Sequence, residues 1–182
     1  MTVHEGLSPS NWVKRCSELL RPRSTVLDLA CGSGRHAHYL ADKGHEVTAL
    51  DKSPEALSKI SSSIGIHTHA FDLEIDSWPY SERKFDAIVV TNYLYRPILQ
   101  NIVDALSPSG ILIYETFMSG NERFGRPSNP DFLLRPNELI DVTHKKLQIL
   151  LYESGRVSEP SPALIQRICA VSVHSDCYEI TI

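Results

Sequence analysis

The sequence predicts an α/β fold in which a mostly parallel, doubly wound sheet carries helices on both faces. Between residues 25 and 115, strand-like and helix-like segments alternate five times, which is the pattern of consecutive strand–helix units. The strand-like segments include largely apolar runs such as residues 85–90, in which Asp86 is the one polar residue, and such runs are typical of parallel strands covered on both faces. Near the end of the chain, two strand-like segments follow each other without a helix between them. They predict an antiparallel hairpin at one end of the sheet.

The first part of the predicted fold is a short helix within residues 1–21, followed by alternating strands and helices. Ser10 can cap the first helix, Gly44 can end the second, and Ser53 can cap the third. The predicted strands are residues 25–30, 46–51, 66–71, 85–90 and 111–115, and the later helices are residues 34–43, 54–62 and 97–106.

A long irregular segment at residues 116–136 interrupts this alternation. It is rich in Gly, Pro, Asn and Arg, and irregular loops of about twenty residues inside a compact domain are usually functional. We expect either a lid that closes on a small acceptor through Arg123 and Arg126, or a surface loop whose arginines are solvated. A helix at residues 137–143 and strands at residues 147–153 and 164–173 complete the predicted fold.

Length and composition indicate a single domain. The 182 residues divide into an N-terminal helix (1–21), a cofactor-binding core (22–115), a substrate loop or lid (116–136) and a C-terminal helix and hairpin (137–182). A net charge of −4 argues against a bulk electrostatic grip on nucleic acid. No apolar run approaches the roughly 18 residues of a membrane span, and no signal-peptide pattern is present. We therefore expect a cytoplasmic protein that binds neither nucleic acid nor a membrane.

The sequence gives no reason to expect a metal site. His36 and His38 are two residues apart on a predicted helix and cannot readily face one ion. His67 and His69 share one face of a strand, but no third ligand stands at a suitable spacing. The four cysteines are too far apart for a metal clip and too few for a disulfide framework, so we expect them to act as small hydrophobic residues.

The most informative segment is residues 26–36, a strand that leads through a glycine-rich turn into a helix. Such a turn presents backbone N–H groups at a helix N-terminus and can hold part of a nucleotide or nucleoside cofactor. Asp28 lies four residues before Gly32 and would repel a pyrophosphate, whereas a cationic cofactor would be attracted. Asp51 follows Gly34 by 17 residues, which suits a carboxylate that accepts both ribose hydroxyls, and Asp72 can accept from an adenine amine.

Two cofactors compete for this turn. Residues 32–37 formally satisfy the dinucleotide fingerprint GxGxxG/A, so a nicotinamide enzyme is one alternative. S-adenosylmethionine is the other, because it carries an ammonium and a sulfonium but no phosphate. The charge of Asp28, and the lack of room in 182 residues for a separate substrate domain, favour S-adenosylmethionine.

The set of motifs resembles the class I S-adenosylmethionine-dependent methyltransferases, and in particular small bacterial members of the tellurite-resistance type. The matching segments are VLDLACGSGRH at 26–36, VTALD at 47–51, FDLE at 71–74, FDAIVVTNYLYRP at 85–97 and LSPSGILIYETF at 106–117. The resemblance implies a Rossmann-like sheet. Ala30 stands where the family often has Gly, and its small size makes this departure tolerable.

The resemblance also implies a role for each matching position. Backbone at Ala30, Gly32 and Gly34 would line the methionine part of the cofactor, and Asp28 would hold its amino group. The other cofactor-binding residues it implies are Asp51 and Lys52 after the second strand, Asp72 and Leu73 at the adenine, and Thr91 and Asn92 beside the sulfonium. On the substrate side, the resemblance places Tyr93 and Tyr95 close to the mouth. We expect Tyr93 to orient the methyl acceptor, and the composition of the long loop adds Arg123 and Arg126 as candidate substrate residues.

These roles predict methyl transfer to a small-molecule acceptor by in-line displacement, with alignment and exclusion of water as the main catalytic effects. No general base stands out, which fits an acceptor that is nucleophilic as it arrives, such as a thiolate, an amine or a reduced chalcogen oxyanion. A domain that binds S-adenosylmethionine without turnover is an alternative, and a NAD-dependent oxidoreductase is a weaker one. Either a monomer or a homodimer is compatible with the sequence.

Overall fold

The structure, a computed structural model, describes residues 8–60 and 64–172 and contains one seven-stranded sheet in these residues. The helices are α1 (Asn11–Ser17), α2 (Arg35–Asp42), α3 (Pro54–Ser58), α4 (Leu99–Asp104) and α5 (Glu138–Thr143). The strands are β1 (Thr25–Leu29), β2 (Glu46–Asp51), β3 (Ile66–Ala70), β4 (Phe85–Thr91), β5 (Leu106–Phe117), β6 (Leu147–Val157) and β7 (Ala163–Ser172). Short 3-10 segments lie at Arg96–Ile98, Asn121–Arg123 and Pro130–Phe132.

The strand order is β3-β2-β1-β4-β5-β7-β6. The first five strands run parallel, and β7 is antiparallel to both β5 and β6. This confirms the predicted Rossmann-like, mostly parallel sheet with a C-terminal antiparallel hairpin. The direction of winding reverses between β1 and β4, and open α/β sheets bind ligands beyond the carboxyl ends of the strands at such a point.

Side chains alternate between the two faces of the sheet and form two separate cores. In β1, Val26 packs with α1, α2 and α3 on one face, whereas Leu27 and Leu29 pack with α4 and α5 on the other. Asp28 shares the face of Val26 because strand side chains alternate with a period of two. The start of α2 is therefore its neighbour, and this relation positions the site described below.

The fifth strand differs from its prediction. The sequence predicted that a helix ends at residue 106 and that the strand starts at residue 111, but β5 begins at Leu106 and passes through residues 107–110 with a shift of register against β4. Gly110 lies so close to β4 that an added Cβ would be 2.9 Å from the carbonyl oxygen of Phe85. The strand tolerates the irregular sequence because a glycine allows this approach at the irregular point.

Several helix boundaries also differ. The segment predicted as a helix at 97–106 starts as a 3-10 turn at Arg96–Ile98 and ends at Asp104. The third helix ends at Ser58, and the predicted continuation to residue 62 reaches residues 61–63, which lie outside the described residues. Residue 173, the predicted end of the last strand, is also outside them.

The predicted loop at residues 116–136 is folded back on itself. Its first two residues extend β5, and Met118 forms a parallel bridge with Leu134 near the loop's other end. Leu133 and Leu134 are buried, so the loop is anchored by its own apolar residues. Across the described part of the chain, no helix has the length and apolar character needed to cross a membrane.

Candidate functional site

The glycine turn after β1 is built from three residues in the left-handed region. Ala30, Gly32 and Gly34 have φ values of 54°, 56° and 79°. The turn is fixed by backbone bonds, since the Cys31 amide donates to Leu50 at the end of β2 over 3.0 Å. At Gly34 a Cβ would come within 2.5 Å of the Ile60 side chain, so both conformation and space favour glycine there. The turn thereby brings the backbone to the carboxyl edge of the sheet.

Asp28 lies behind this turn and is almost fully buried, with 1% of its surface exposed. It accepts the Ala37 amide in the first turn of α2, while its second oxygen, Oδ2, has no hydrogen-bond partner among the described residues. Burial raises the pKa of this carboxyl from 3.8 to about 7, an effect only partly offset by the Ala37 amide and by nearby Arg35. A buried carboxylate oxygen of this kind is suited to a cation or to a hydrogen-bond donor.

Asp51, at the end of β2, ties the turn to the next loop. Its Oδ2 accepts the Gly32 amide at 2.8 Å and its Oδ1 accepts the Ser53 amide at 2.9 Å. Each carboxylate oxygen has two lone pairs, so both oxygens keep one for a ligand hydroxyl. Asp51 is half-buried and borders open space.

A cavity of about 190 Å³ opens between these loops. Its lining combines apolar surface with carboxylates, and Lys52 is its one basic residue: Ala30, Leu50, Asp51, Lys52, Phe71, Asp72, Leu73, Glu74 and Tyr93. Asp72 uses Oδ1 to accept the Glu74 amide at 3.0 Å, which shapes the turn after β3. A larger cavity of about 970 Å³ lies at the opposite edge of the sheet, near the start of β5, and contains none of the predicted site residues.

The loop after β4 closes one side of the smaller cavity. Asn92 adopts a left-handed conformation with φ of 55° and donates its amide to Glu115 in β5. Tyr93 is half-buried, and its carbonyl accepts the hydroxyl of Tyr114 at 2.9 Å. Burial, reinforced by the charges of Glu74 and Asp72, raises the pKa of the Tyr93 phenol far above its ordinary value. This phenol therefore stays protonated and can donate a hydrogen bond.

The substrate residues expected further out, Tyr95, Arg123 and Arg126, lie outside the lining of the 190 Å³ cavity. Tyr95 contacts the Glu74 carbonyl with its hydroxyl at 3.4 Å, which links the loops after β3 and β4. Arg123 folds back to donate to the Gly120 carbonyl, and Arg126 is exposed. Neither arginine lines the 190 Å³ cavity.

Arg96, which the sequence reasoning did not single out, organises the long loop. It donates to the carbonyls of Asp131 and Leu133 at 2.8 Å each and to both oxygens of Glu138 at 2.7 and 2.9 Å. Arg96 and Arg135 also line a cavity of about 450 Å³ under this loop. The signal that could have identified Arg96 is its position just after the fourth strand, next to the predicted Tyr93 and Tyr95.

A second group of polar residues lies on the face covered by α1, and of its four members only Thr91 was predicted from the sequence. Thr91, Glu115, Arg167 and Glu153 are paired across the neighbouring strands β4, β5, β7 and β6, and we call them the polar row. Arg167 donates to Glu115 at 3.2 Å and to Glu153 at 2.8 Å. Helix α1 reaches the row through Ser10, whose hydroxyl donates to Glu115 at 2.6 Å. The available signal was a charged or polar residue within each largely apolar strand segment.

The fold and the site together define a class of protein: an open α/β domain that holds a nucleoside cofactor at the carboxyl edge of its sheet, over an acidic glycine turn. Comparison with known proteins makes this class specific. Residues 26–110 match the family described as a methyltransferase domain. Over these residues the chain is similar to class I, S-adenosylmethionine-dependent methyltransferases, and its fold resembles that of TehB.

Individual relatives show the same similarity. The chain is 35% identical over 122 residues to the Bacillus subtilis protein YqeM, which is described as a methyltransferase. It is 29% identical over 107 residues to malonyl-[acyl-carrier protein] O-methyltransferase of Salmonella typhimurium. These matches cover 59% and 56% of this chain but only 48% and 42% of the relatives, so the chain spans about half the length of the curated relatives it matches.

The similarity in structure extends further than the similarity in sequence. The crystal structure of TehB from Haemophilus influenzae superposes with a TM-score of 0.77 at 21% identity, covering 93% of this chain and 64% of that one. At this identity the match supports the fold, including the C-terminal hairpin that lies outside residues 26–110.

Proposed function

We propose that this chain transfers the methyl group of S-adenosylmethionine to a small-molecule acceptor. The observation that carries the proposal is Asp28, a buried carboxylate behind the glycine turn with an oxygen that has no partner among the described residues. The cavity beside it is lined by Asp51, Asp72 and Glu74. A cofactor with an ammonium and a sulfonium fits these charges, whereas the pyrophosphate of NAD would be repelled.

Different residues of the carboxyl edge bind different parts of the cofactor in this proposal. Backbone at Ala30, Gly32 and Gly34 faces the methionine part, and Asp28 takes its amino group, directly or through water. The residues proposed for the remainder are Asp51 for the ribose, Lys52, Asp72 and Leu73 for the adenine end, and Thr91 and Asn92 beside the sulfonium. When bound, S-adenosylmethionine supplies a methyl group on a good leaving group.

The chain contributes to catalysis by aligning the acceptor with the methyl group, and it supplies no strong base. The raised pKa of Tyr93 keeps its phenol protonated, so Tyr93 orients the acceptor by donating a hydrogen bond and does not remove a proton. An acceptor that arrives as a nucleophile needs no base, which supports a thiolate, an amine or a reduced chalcogen oxyanion. Holding such an atom in line with the methyl group accounts for most of the expected acceleration.

The acceptor enters between the loop after β4 and the long loop. Tyr95, Arg123 and Arg126 lie on this side in the proposal, and the 450 Å³ cavity beside Arg96 offers space for part of the molecule. The Salmonella typhimurium relative is named for a substrate attached to a carrier protein, so a carrier-bound acceptor is the main competitor to a free small molecule. We further propose a cytoplasmic monomer or homodimer.

Calorimetry with S-adenosylmethionine, S-adenosylhomocysteine and NAD tests the cofactor. We expect the first two to bind, and Asp28→Asn to weaken S-adenosylmethionine by roughly 10- to 100-fold, the loss typical of a hydrogen bond to a charged group. Asp42→Asn, at the exposed end of α2, is the matched control and should bind like the wild type. Binding of NAD without binding of S-adenosylmethionine would overturn the proposal.

A screen for S-adenosylhomocysteine release tests turnover. Thiols, amines, oxyanions, small aromatic compounds and an acyl group on a carrier protein are offered separately, each with wild type and with the Asp28→Asn variant. Release with a free small molecule supports the proposal. Tight cofactor binding with release only from a carrier-bound acceptor, or with no release at all, would contradict it and favour a carrier-dependent enzyme or a binding domain.

A further inference from the structure

The hydroxyl of Thr91 has a defined role because of its buried neighbour, His36. Thr91 ends β4 at the carboxyl edge, and its Oγ1 lies 3.4 Å from Nδ1 of His36 on α2. The other ring nitrogen, Nε2, lies 3.2 Å from the backbone nitrogen of Ser10. His36 is 1% exposed, so these two neighbours determine the state of its ring.

Chemistry fixes which ring nitrogen carries the proton. The Ser10 amide can only donate, and Nε2 must therefore accept with its lone pair. A neutral imidazole then has its hydrogen on Nδ1, which donates to the oxygen of Thr91. Burial, helped by the charge of Arg35, lowers the pKa of His36 from 6.5 to about 3, so the ring is neutral at ordinary pH.

The hydrogen bond from His36 leaves the Thr91 hydroxyl available as a hydrogen-bond donor. Its oxygen is used as an acceptor, and its hydrogen has no acceptor among the described residues. Thr91 is half-buried at the edge where the cofactor and the acceptor meet in the proposed function. The Thr91 hydroxyl can therefore donate a hydrogen bond to a ligand atom that has a lone pair.

We propose that His36 is a positioning residue that holds the Thr91 hydroxyl as a hydrogen-bond donor toward a lone-pair atom of the bound ligands. This inference rests on the proposed function and deepens it. The lone pair belongs either to the carboxylate of the cofactor or to the methyl acceptor. A ligand that accepts from Thr91 also polarises the hydroxyl and strengthens its bond to His36.

The polar row connects the His36–Thr91 hydrogen bond to α1. Ser10 donates its amide to His36 and its hydroxyl to Glu115, and Glu115 is paired with Thr91 across β4 and β5. Arg167 holds the other oxygen of Glu115. Helix α1 thus fixes both the ring of His36 and the strand end beside Thr91, although it provides no residue to the 190 Å³ cavity.

Two substitutions of His36 separate its two bonds. In His36→Asn the amide nitrogen is as many bonds from Cα as Nδ1 and can still donate to Thr91, while the bond to Ser10 is lost. In His36→Gln the amide oxygen corresponds to Nε2 and can still accept from Ser10, while the donor to Thr91 is lost. Thr91→Val removes the hydroxyl itself, and His45→Asn is a control at a second buried histidine beyond the far end of α2.

The measurements are Kd for S-adenosylmethionine and S-adenosylhomocysteine by calorimetry, and KM and kcat for the acceptor found in the screen. We expect His36→Gln and Thr91→Val to weaken one ligand by about tenfold, His36→Asn to stay within about threefold of wild type, and His45→Asn to match wild type. The double variant His36→Gln/Thr91→Val should be no weaker than Thr91→Val, because His36 acts on the ligand only through the Thr91 hydroxyl.

The arms of the experiment identify the ligand atom. An increase in both cofactor Kd values assigns the lone pair to the cofactor carboxylate, and an increase in acceptor KM alone assigns it to the acceptor. Equal values for His36→Asn and His36→Gln, or additive effects in the double variant, overturn the inference while leaving the proposed function intact. Failure of the wild type to bind S-adenosylmethionine instead overturns the proposed function.

Discussion

The side chain of Ala30 is small enough for the glycine turn, but the backbone conformation of this residue is strained. The sequence indicated that a small side chain fits where related proteins often have glycine. The structure adds that Ala30 has a φ of 54°, in the left-handed region. An L-residue pays about 1–2 kcal/mol for this conformation, whereas glycine adopts it freely.

We therefore expect Ala30→Gly to stabilise the protein. The relief of strain exceeds the entropic cost of the added flexibility of glycine in the unfolded chain, which is about 0.5–1 kcal/mol, and leaves a net gain of up to about 1.5 kcal/mol. The free energy of unfolding is measured by urea titration without cofactor. Ala41→Gly, inside α2, is the matched control and should be destabilising by about 1 kcal/mol. A loss of stability at Ala30 comparable to that at Ala41 would contradict the expectation.

The residues of the candidate site were predictable to different degrees. Asp28, Asp51 and Asp72 lie at or just beyond the carboxyl ends of β1, β2 and β3, and the geometry of parallel sheets brings such positions together at one edge. His36 was not predictable in its role, because its function depends on contacts with Ser10 and Thr91, 26 and 55 residues away. Contacts over such separations leave no local pattern in a single sequence.

At the scale of elements, the long loop depends on Arg96. This guanidinium bonds to two loop carbonyls and to both oxygens of Glu138, which starts α5. Its planar fork makes these bonds at once, and a lysine ammonium cannot reproduce that geometry. The charge, the planar geometry and the partial burial of Arg96 together hold the long loop against the start of α5.

Arg96→Lys should release the loop while leaving the sheet intact. We expect faster amide exchange in residues 119–135, together with a loss of about 1–3 kcal/mol in the free energy of unfolding. Hydrogen exchange read by mass spectrometry measures the first and urea titration the second. Arg135→Lys, exposed in the same loop, is the comparison and should behave as wild type. Unchanged exchange in Arg96→Lys would mean that the buried Leu133 and Leu134 suffice to hold the loop.

The elements of the hairpin illustrate what the sequence could and could not predict. Antiparallel pairing of the last two strands followed from their short connection. Their order did not, since β7 rather than β6 pairs with β5. The physical reason is burial: eight of the ten residues of β7 are buried, as expected of an inner strand, whereas only Leu147 of β6 is buried. A comparison of apolar content between the two strands would have favoured this order.

At the scale of the whole molecule, two buried titratable groups oppose each other in the dependence of stability on pH. The pKa of Asp28 is about 7 in the folded protein against an ordinary 3.8, so between these values the folded state holds a proton that the unfolded state has lost. Stability falls as pH rises through this window. The pKa of His36 is about 3 against an ordinary 6.5, so between these values the unfolded state holds the extra proton. Stability therefore rises with pH through that window.

The two windows overlap between pH 3.8 and 6.5, where each group contributes a slope of about 1.4 kcal/mol per pH unit with opposite sign. We expect these contributions to cancel in the wild type and to appear singly in variants. Asp28→Asn should become steadily less stable on acidification from pH 6.5 to 4.5, while His36→Asn should become more stable over the same range. Asp42→Asn, at an exposed carboxylate, should follow the wild-type profile. Urea titrations at pH 4.5, 5.5 and 6.5 without cofactor measure the slopes. Parallel profiles for Asp28→Asn and His36→Asn would show that the two groups do not control this dependence, because burial of an uncompensated charge requires slopes of opposite sign.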